Sequence, residues 1–261
     1  MTPLRLLWLN LRIGILTELE YRANFGVQLF QTFLALVIAI GRLGVIFYHT
    51  DDLDGWGPNQ MLALTGVFFL VLGVVNLIIQ PSMQRVLEDV RRGTLDFTLT
   101  KPEDAQLLIS VRQIEIWKVV DVLMGLGLVG VALYRLRESI GFVEAIGFGL
   151  ALLAGLAIVY SFLLMLTTCS FWFVRVENLL VIFQSMYEAG RWPVGLYPGW
   201  LRFALTSLVP IAFAVTVPAE AVTARLTSQT LALALGLAVI LLLASRAFWR
   251  FGVRHYSGAS A

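Results

Sequence analysis

Hydrophobic residues along this chain form long stretches with few interruptions, without the alternation of strands or the single stripe of soluble helices. A membrane-spanning helix needs about 20 apolar residues, because the hydrocarbon layer is about 30 Å thick and each residue rises about 1.5 Å. Membrane β-strands would instead give alternating segments of about 10 residues. The pattern therefore predicts an all-α integral membrane protein with five clear spans, at 24–48, 59–80, 114–134, 142–174 and 227–248.

A sixth apolar region, 177–225, is broken by prolines and glycines. An interior proline removes a helical hydrogen bond and clashes with the preceding turn, so one continuous helix cannot run through this region. We interpret 177–189 as most of a fifth span, which makes six in all. The outer segment 190–225 then forms short re-entrant helices, with a static outer cap as the alternative to a gate. The candidate gate residues are Trp192, Pro193, Pro198, Trp200 and Pro210.

The segment 1–23 predicts a separate helix that lies in the membrane interface. Leu4, Leu7, Trp8 and Leu11 follow the i, i+3, i+4, i+7 spacing that places them on one helical face. A tryptophan with flanking arginines suits the headgroup region. Charged residues interrupt any apolar core, so the segment does not read as a cleavable signal. A polar lead-in to the first span is the alternative interpretation.

Composition and charge support a membrane protein and orient it. The chain is 59% hydrophobic and 14% charged, against about 45–50% and about 25% for soluble domains. A net charge of +2 gives no reason to expect a nucleic-acid partner. With six spans and both termini inside, 13 of the 19 Lys and Arg residues lie on the inner side and 5 on the outer side. The positive-inside rule therefore places both termini in the cytoplasm.

The longest polar insert, 81–113, lies between spans two and three and is cytoplasmic in this topology. Pro81 is expected to end the second span, and Gly93 to end a short amphipathic helix. An apolar stripe beside dense charge suits the docking of a soluble partner, although a solvated loop helix is the alternative. The candidate docking residues are Met83, Arg85, Val86, Leu87, Glu88, Asp89, Arg91 and Arg92.

Polar residues inside spans are functional candidates, because a polar group is costly in hydrocarbon. Glu188 is an intramembrane carboxylate, but a structural pair with Arg191, three residues later, is an equally good interpretation. Lys118 and Asp121 have the same spacing and are expected to pair near the inner end of span three. The candidates for lining a pathway are Gln28, Gln31, Asn76, Gln80, Glu188 and Arg191.

Two nucleotide-binding motifs can be judged from the sequence. Gly125, Gly127 and Gly130 have the GxGxxG spacing of a dinucleotide-binding turn, but they lie inside a predicted span, where close helix packing explains them better. A P-loop needs GxxxxGK followed by Ser or Thr, and neither Lys101 nor Lys118 has that context. We therefore expect this chain not to hydrolyse ATP, and to carry no catalytic, cofactor or metal site.

Several short runs resemble one transporter family. GRWP at 190–193, YPGWLR at 197–202, the later prolines and Arg225 resemble the region between the last two spans of ABC-2-type exporter permeases. RGTLD at 92–96 with TKP following, and the ending RHYSGAS at 254–260, are similar to one bacterial six-span branch of that family. Together with the span count and sidedness, the resemblance covers the whole chain.

The resemblance implies a bacterial inner-membrane permease that pairs with a second six-span permease, either the same chain or a paralogue. A separate cytoplasmic ABC ATPase, carrying ATP and Mg²⁺, would bind the regions 4–22 and 82–92, and spans one, two and five would line the pathway. An ion-driven secondary transporter is the competing hypothesis, and a non-transporting membrane scaffold is a third. The apolar lining favours a lipid-like or amphipathic cargo.

Overall fold

The computed structural model describes residues 22–136, 141–173 and 177–256. These ranges are almost entirely helical and contain no strand, which confirms the all-α prediction. The predicted interfacial helix with Leu4, Leu7, Trp8 and Leu11 lies outside the described residues. In chain order the α-helices are α1 (Arg22–His49), α2 (Pro58–Val74), α3 (Gln80–Arg92), α4 (Asp96–Leu99), α5 (Ala105–Ser110), α6 (Val119–Leu136), α7 (Phe142–Thr168), α8 (Glu177–Tyr187), α9 (Gly199–Phe203), α10 (Ile211–Val222) and α11 (Ser228–His255).

Five helices of the described chain are long and apolar enough to cross a membrane: α1, the continuous helix from Pro58 to Arg92, α6, α7 and α11. They coincide with the five clear spans predicted from hydropathy. Their ends differ by several residues, most of all at the second span, which continues to Arg92 instead of ending near residue 80, and then at α11, which continues to His255 instead of ending near residue 248. A bent pair formed by α9 and α10 brings the number to six if the pair is one broken span.

The second span does not end at Pro81, so that prediction is wrong. A π-helical turn at Val75–Ile79 joins α2 to α3, and the three together form one continuous helix of 35 residues. Proline has no N–H for the carbonyl four residues earlier. That carbonyl, on Leu77, instead accepts the backbone N–H of Glu115 at 2.8 Å. The helix ends at Gly93, as predicted, in the left-handed conformation with φ of 67°.

The helix α2 packs closely along α6 through small residues. A Cβ added to Gly125 would lie 2.4 Å from the backbone nitrogen of Leu70, and one added to Gly66 would also collide with the facing backbone. Gly125 therefore has the packing role predicted for it. Gly127 and Gly130 have no atom within 4 Å of an added Cβ, so the same explanation is wrong for them within the described chain.

The helices α7 and α11 run parallel to each other. Gly147, near the start of α7, faces Leu226, and Thr168, at the end of α7, faces Gly252, near the end of α11. The chain between the end of α7 and the start of α11 must therefore run back along the full length of these two helices.

The first helix of this connecting segment, α8, has 11 residues and is about 16 Å long, half of what a span needs. The predicted span at 177–189 is thus not one full-length helix, and 3-10 turns continue the path.

The outer segment is broken at Pro193, Pro198 and Pro210, as predicted, whereas Pro218 lies inside α10 and does not interrupt it. The helix α9 passes into a π-helical turn, and α10 starts after Pro210 at an angle of 90° to it. At the end of α10, the guanidinium of Arg225 lies 4.9 Å from the ring centroid of Trp56 and donates a 3.0 Å hydrogen bond to the carbonyl of Gly55. This clamp fastens the segment to the loop between α1 and α2. Its re-entrant character stays a prediction.

Candidate functional site

The apolar stripe of α3 faces the interior of the protein. Met83 and Val86 are fully buried and Leu87 is 3% exposed, all within the main hydrophobic core. This corrects the prediction that these three residues contact a partner, because an amphipathic stripe buries itself against the nearest apolar surface, which here is the chain's own bundle. They anchor α3, and a docking role for its charged face stays a prediction.

Asp89 is also buried, with 1% of its surface exposed. Its carboxylate pairs with the guanidinium of Arg112, accepts a 3.0 Å hydrogen bond from the hydroxyl of Thr94, and lies 3.6 Å from Nε of Arg85. Arg112 in turn donates to the hydroxyl of Thr98 at 2.8 Å. A buried carboxylate is tolerated only when it is paired in this way. Asp89 therefore holds the insert together and is not part of a docking surface.

The remaining charged residues of α3 form an exposed, mainly basic face. Arg91 and Arg92 are exposed, while Arg85 and Glu88 are partly exposed. Glu88 is 3.3 Å from Arg85 and 3.7 Å from Arg92. Ion pairs at this exposure contribute little to stability, so their charge matters mainly to what the surface attracts. With three arginines and one glutamate, this face has a net positive charge and suits an acidic partner surface.

A second network fastens the far end of the insert to the last span. Asp104 caps α5 by accepting the backbone N–H groups of Gln106 and Leu107, and it pairs with both terminal nitrogens of Arg246 on α11. Gln106 accepts from Arg246 at 2.7 Å and donates to the hydroxyl of Tyr160 at 3.1 Å. The hydrogen bond from Arg246 lowers the pKa of Asp104 to about 2, against the opposing effect of burial. This carboxylate therefore stays charged at neutral pH.

The predicted pair near the start of α6 is confirmed. Nζ of Lys118 lies 3.8 Å from the carboxylate of Asp121, which is 8% exposed. The hydroxyl of Thr32 on α1 donates a 2.7 Å hydrogen bond to the same carboxylate. Asp121 thus connects α1 to α6, a long-range role for which the sequence has no local signal.

The six pathway-lining candidates lie on three parts of the fold: α1, the continuous helix from Pro58 to Arg92, and a 3-10 turn. Among these six residues, Glu188 and Arg191 form an ion pair, with 2.6 Å between the carboxylate and the guanidinium. The Arg191 guanidinium also lies 5.0 Å from the ring centroid of Phe68. The pairing matches the structural interpretation of Glu188, and a pathway role for the six stays a prediction. They are Gln28 and Gln31 on α1, Asn76 in the π-helical turn, Gln80 at the start of α3, and Glu188 and Arg191 in a 3-10 turn.

The outer-gate candidates divide into buried and exposed residues. Pro193 and Pro210 are buried and Trp192 is half-buried, whereas Pro198 is exposed and Trp200 is 73% exposed. Pro198 and Pro210 directly precede α9 and α10 and set where those helices begin. An exposed tryptophan suits the membrane interface. A gating role for these residues stays a prediction.

Sequence reasoning missed the residues that hold the insert in place. Asp104, before an apolar helical stretch and after a proline, carried a recognisable N-cap signal. Arg112 lies 23 residues from Asp89 and Arg246 lies 142 residues from Asp104. Pairs this distant leave no periodic pattern, so sequence reasoning has no means of finding them.

Comparison with known proteins decides the family. A family model described as ABC-2 family transporter protein matches residues 33–260. The chain belongs to this family. No curated protein and no solved structure matches it. ABC-2 family members are multi-pass membrane permeases of ABC transporters, work with a cytoplasmic ATPase subunit, and generally have no ATPase site of their own.

In this ABC-2 family permease, the insert with α3 follows the most buried of the long helices in the described chain. It combines an exposed charged face with two networks that fix its position. The family match starts at residue 33 and so includes the whole insert.

Proposed function

We propose that this chain is the pathway-forming membrane subunit of an ATP-driven exporter in a bacterial inner membrane. Two six-span halves, either identical chains or paralogues, would enclose the pathway, and a separate ATPase would bind ATP and Mg²⁺. The observation that carries this proposal is the continuous helix from Pro58 to Arg92. One of its ends has the exposed charged face, and the rest is the most buried of the five long helices in the described chain.

This helix is built to transmit displacement. The hydroxyl of Ser82 donates to the carbonyl of Gln113 at 3.0 Å and accepts the N–H of the same residue at 3.2 Å. Together with the pair of Asp89 and Arg112, this fixes α3 to the end of the insert that precedes α6. Because α2 packs on α6 with backbone contacts at Gly125, a push on α3 would move α2 and α6 together.

The proposed sidedness rests on the path of the chain and on its charges. Since α7 and α11 are parallel, the segment between them adds a sixth crossing to the five long helices. Six crossings leave both termini on one side, and the distribution of Lys and Arg residues makes that side the cytoplasm. The insert 81–113 then lies where an ATPase can reach it, and 190–225 closes the outer side.

The alternative of an ion-driven carrier is less well supported. Such carriers depend on ionisable groups near mid-membrane whose charge changes during transport. Glu188 is paired with Arg191, and Asp121 is paired with Lys118 and Thr32. A carboxylate that is already held by partners within the described chain suits a structural role.

The docking proposal is tested by the double variant Arg91→Glu with Arg92→Glu, which leaves the buried Asp89 network intact. We expect this variant to insert normally but to lose co-purification with its ATPase, and with it ATP turnover. The matched control is Arg135→Glu with Arg202→Glu, which makes the same charge change on exposed residues at the opposite end. Unchanged ATPase binding by the first variant would contradict the docking site.

A further inference from the structure

A groove lies between α11 and the start of α5, beside the second network of the insert. Its volume is about 390 Å³, within the range of about 300–1,000 Å³ typical of ligand sites. Trp249, which is 2% exposed, forms its floor. The charged groups that line it are three arginines, Arg246, Arg250 and Arg254, and one carboxylate, Asp104. The groove is therefore cationic.

The three arginines lie on one face of α11, because residues four apart in a helix are neighbours. Arg246 is held in place by Asp104 and Gln106. Arg250 and Arg254 are exposed and form no ion pair with the described residues. Two unpaired guanidiniums next to a fixed one are suited to a phosphate, whose oxygens match the planar fork of an arginine.

On the N-terminal side of Arg246, the same face of α11 is apolar. Val239 is 56% exposed and Leu243 is 66% exposed, and they precede Arg246 and Arg250 at helical spacing. An occupant that touches both parts of this face needs a phosphate at one end and a hydrocarbon chain at the other. A soluble phosphate would use only the cationic part.

We propose that this groove binds the headgroup of an anionic phospholipid, with its phosphate between Arg250 and Arg254 and an acyl chain along Leu243 and Val239. Basic pockets beside spanning helices are well suited to anionic headgroups. The site would fasten the end of α11, and through Arg246 and Asp104 the insert, to the lipid surface. Binding requires no ATPase, so it can be measured independently of the exporter proposal.

The test uses the full-length permease alone, delipidated in detergent, with dioleoyl-phosphatidylglycerol and dioleoyl-phosphatidylcholine as probes in native mass spectrometry. Because one arginine near an anionic surface strengthens binding about fivefold, Arg250→Gln with Arg254→Gln should weaken phosphatidylglycerol binding about 25-fold. The control Arg135→Gln with Arg202→Gln removes the same charge from exposed residues away from the groove and should leave binding unchanged.

Three outcomes would overturn the proposal. The first is equal binding of phosphatidylglycerol and phosphatidylcholine by the unaltered protein. The second is a double variant at Arg250 and Arg254 that binds phosphatidylglycerol as well as the control does. The third is displacement of the lipid by an equal concentration of inorganic phosphate, which would identify a soluble phosphate site instead. A circular-dichroism spectrum of each variant verifies that it is folded.

Discussion

Two long apolar helices have opposite surroundings in this protein. The helix from Pro58 to Arg92 and the helix α1 have mean hydropathies of 2.6 and 2.0 in their most apolar windows. In those windows, 67% of the first is buried inside the chain and 6% of the second. Hydropathy therefore identifies what can lie in a membrane, but not what will surround it there.

The difference has a physical origin in side-chain size. The buried helix has glycines at positions 66 and 73, which let the backbone of α6 approach closely. Lipid tails are as apolar as leucine, so such close packing is what brings membrane helices together. On α1, an added Cβ at Gly26, Gly41 or Gly44 would meet no atom of the described residues within 4 Å. Its surface is thus open to lipid or to the proposed second half.

The largest expected effect comes from disrupting the tight contact of the buried helix. Gly125→Val places a side chain against the backbone of Leu70, and we expect it to lower the free energy of unfolding by about 3 kcal/mol. Gly127→Val, two residues away in open space, is the matched control and should have little effect. Thermal unfolding in detergent measures both. Equal midpoints for the two variants would show that α2 and α6 do not pack as described.

The next effect concerns the inner end of the same helix. Asp89→Asn leaves the Arg112 guanidinium without its charged partner, and we expect a loss of about 2 kcal/mol in unfolding free energy. Glu88→Gln, at the adjacent and partly exposed position, should change it by less than about 0.5 kcal/mol. Chemical unfolding followed by tryptophan fluorescence compares them. A loss at position 88 equal to that at position 89 would contradict the buried network.

The fold was more predictable than the site. Long apolar runs revealed the five long helices because their length is set by the membrane itself. The predicted helix end at Pro81 is wrong because a π-helical turn and the N–H of Glu115 compensate for the missing N–H of the proline, and neither is visible in the local sequence. The predicted partner contact of Met83 and Val86 is wrong because an amphipathic stripe has the same spacing whether it faces the protein's own core or a partner. Tertiary contacts alone resolve that ambiguity.

A smaller effect tests the sparse attachment of α1. Thr32→Val removes the hydrogen bond to Asp121 and should lower the unfolding free energy by about 1 kcal/mol. The control is Thr65→Val on α2, where the hydroxyl bonds only to the carbonyl of Met61 in its own helix. That bond does not join helices, so its loss should matter less. A greater loss at Thr65 in thermal unfolding would argue against Asp121 as the link.

The smallest effect concerns how stability depends on pH through the ion pair of Asp104 and Arg246. The pKa of Asp104, lowered to about 2, lies below the usual value, so its stabilising contribution is complete above about pH 4 and is lost as the pH falls toward 2. The difference in thermal midpoint between the unaltered protein and Asp104→Asn should therefore be constant from pH 8 to 5. Arg246→Gln should show the same constancy. A difference that shrinks between pH 7 and 5 would contradict the paired carboxylate.

The central claim is that the insert bearing α3 faces the cytoplasm, where an ATPase can reach it, while the loop after α1 faces outward. Cysteine labelling of intact cells tests this directly in a Cys169→Ala background. A membrane-impermeant reagent should label Asp52→Cys and Gly199→Cys from outside. Gln84→Cys and Lys101→Cys should react only after the cells are permeabilised. Labelling of Gln84→Cys in intact cells would contradict the account.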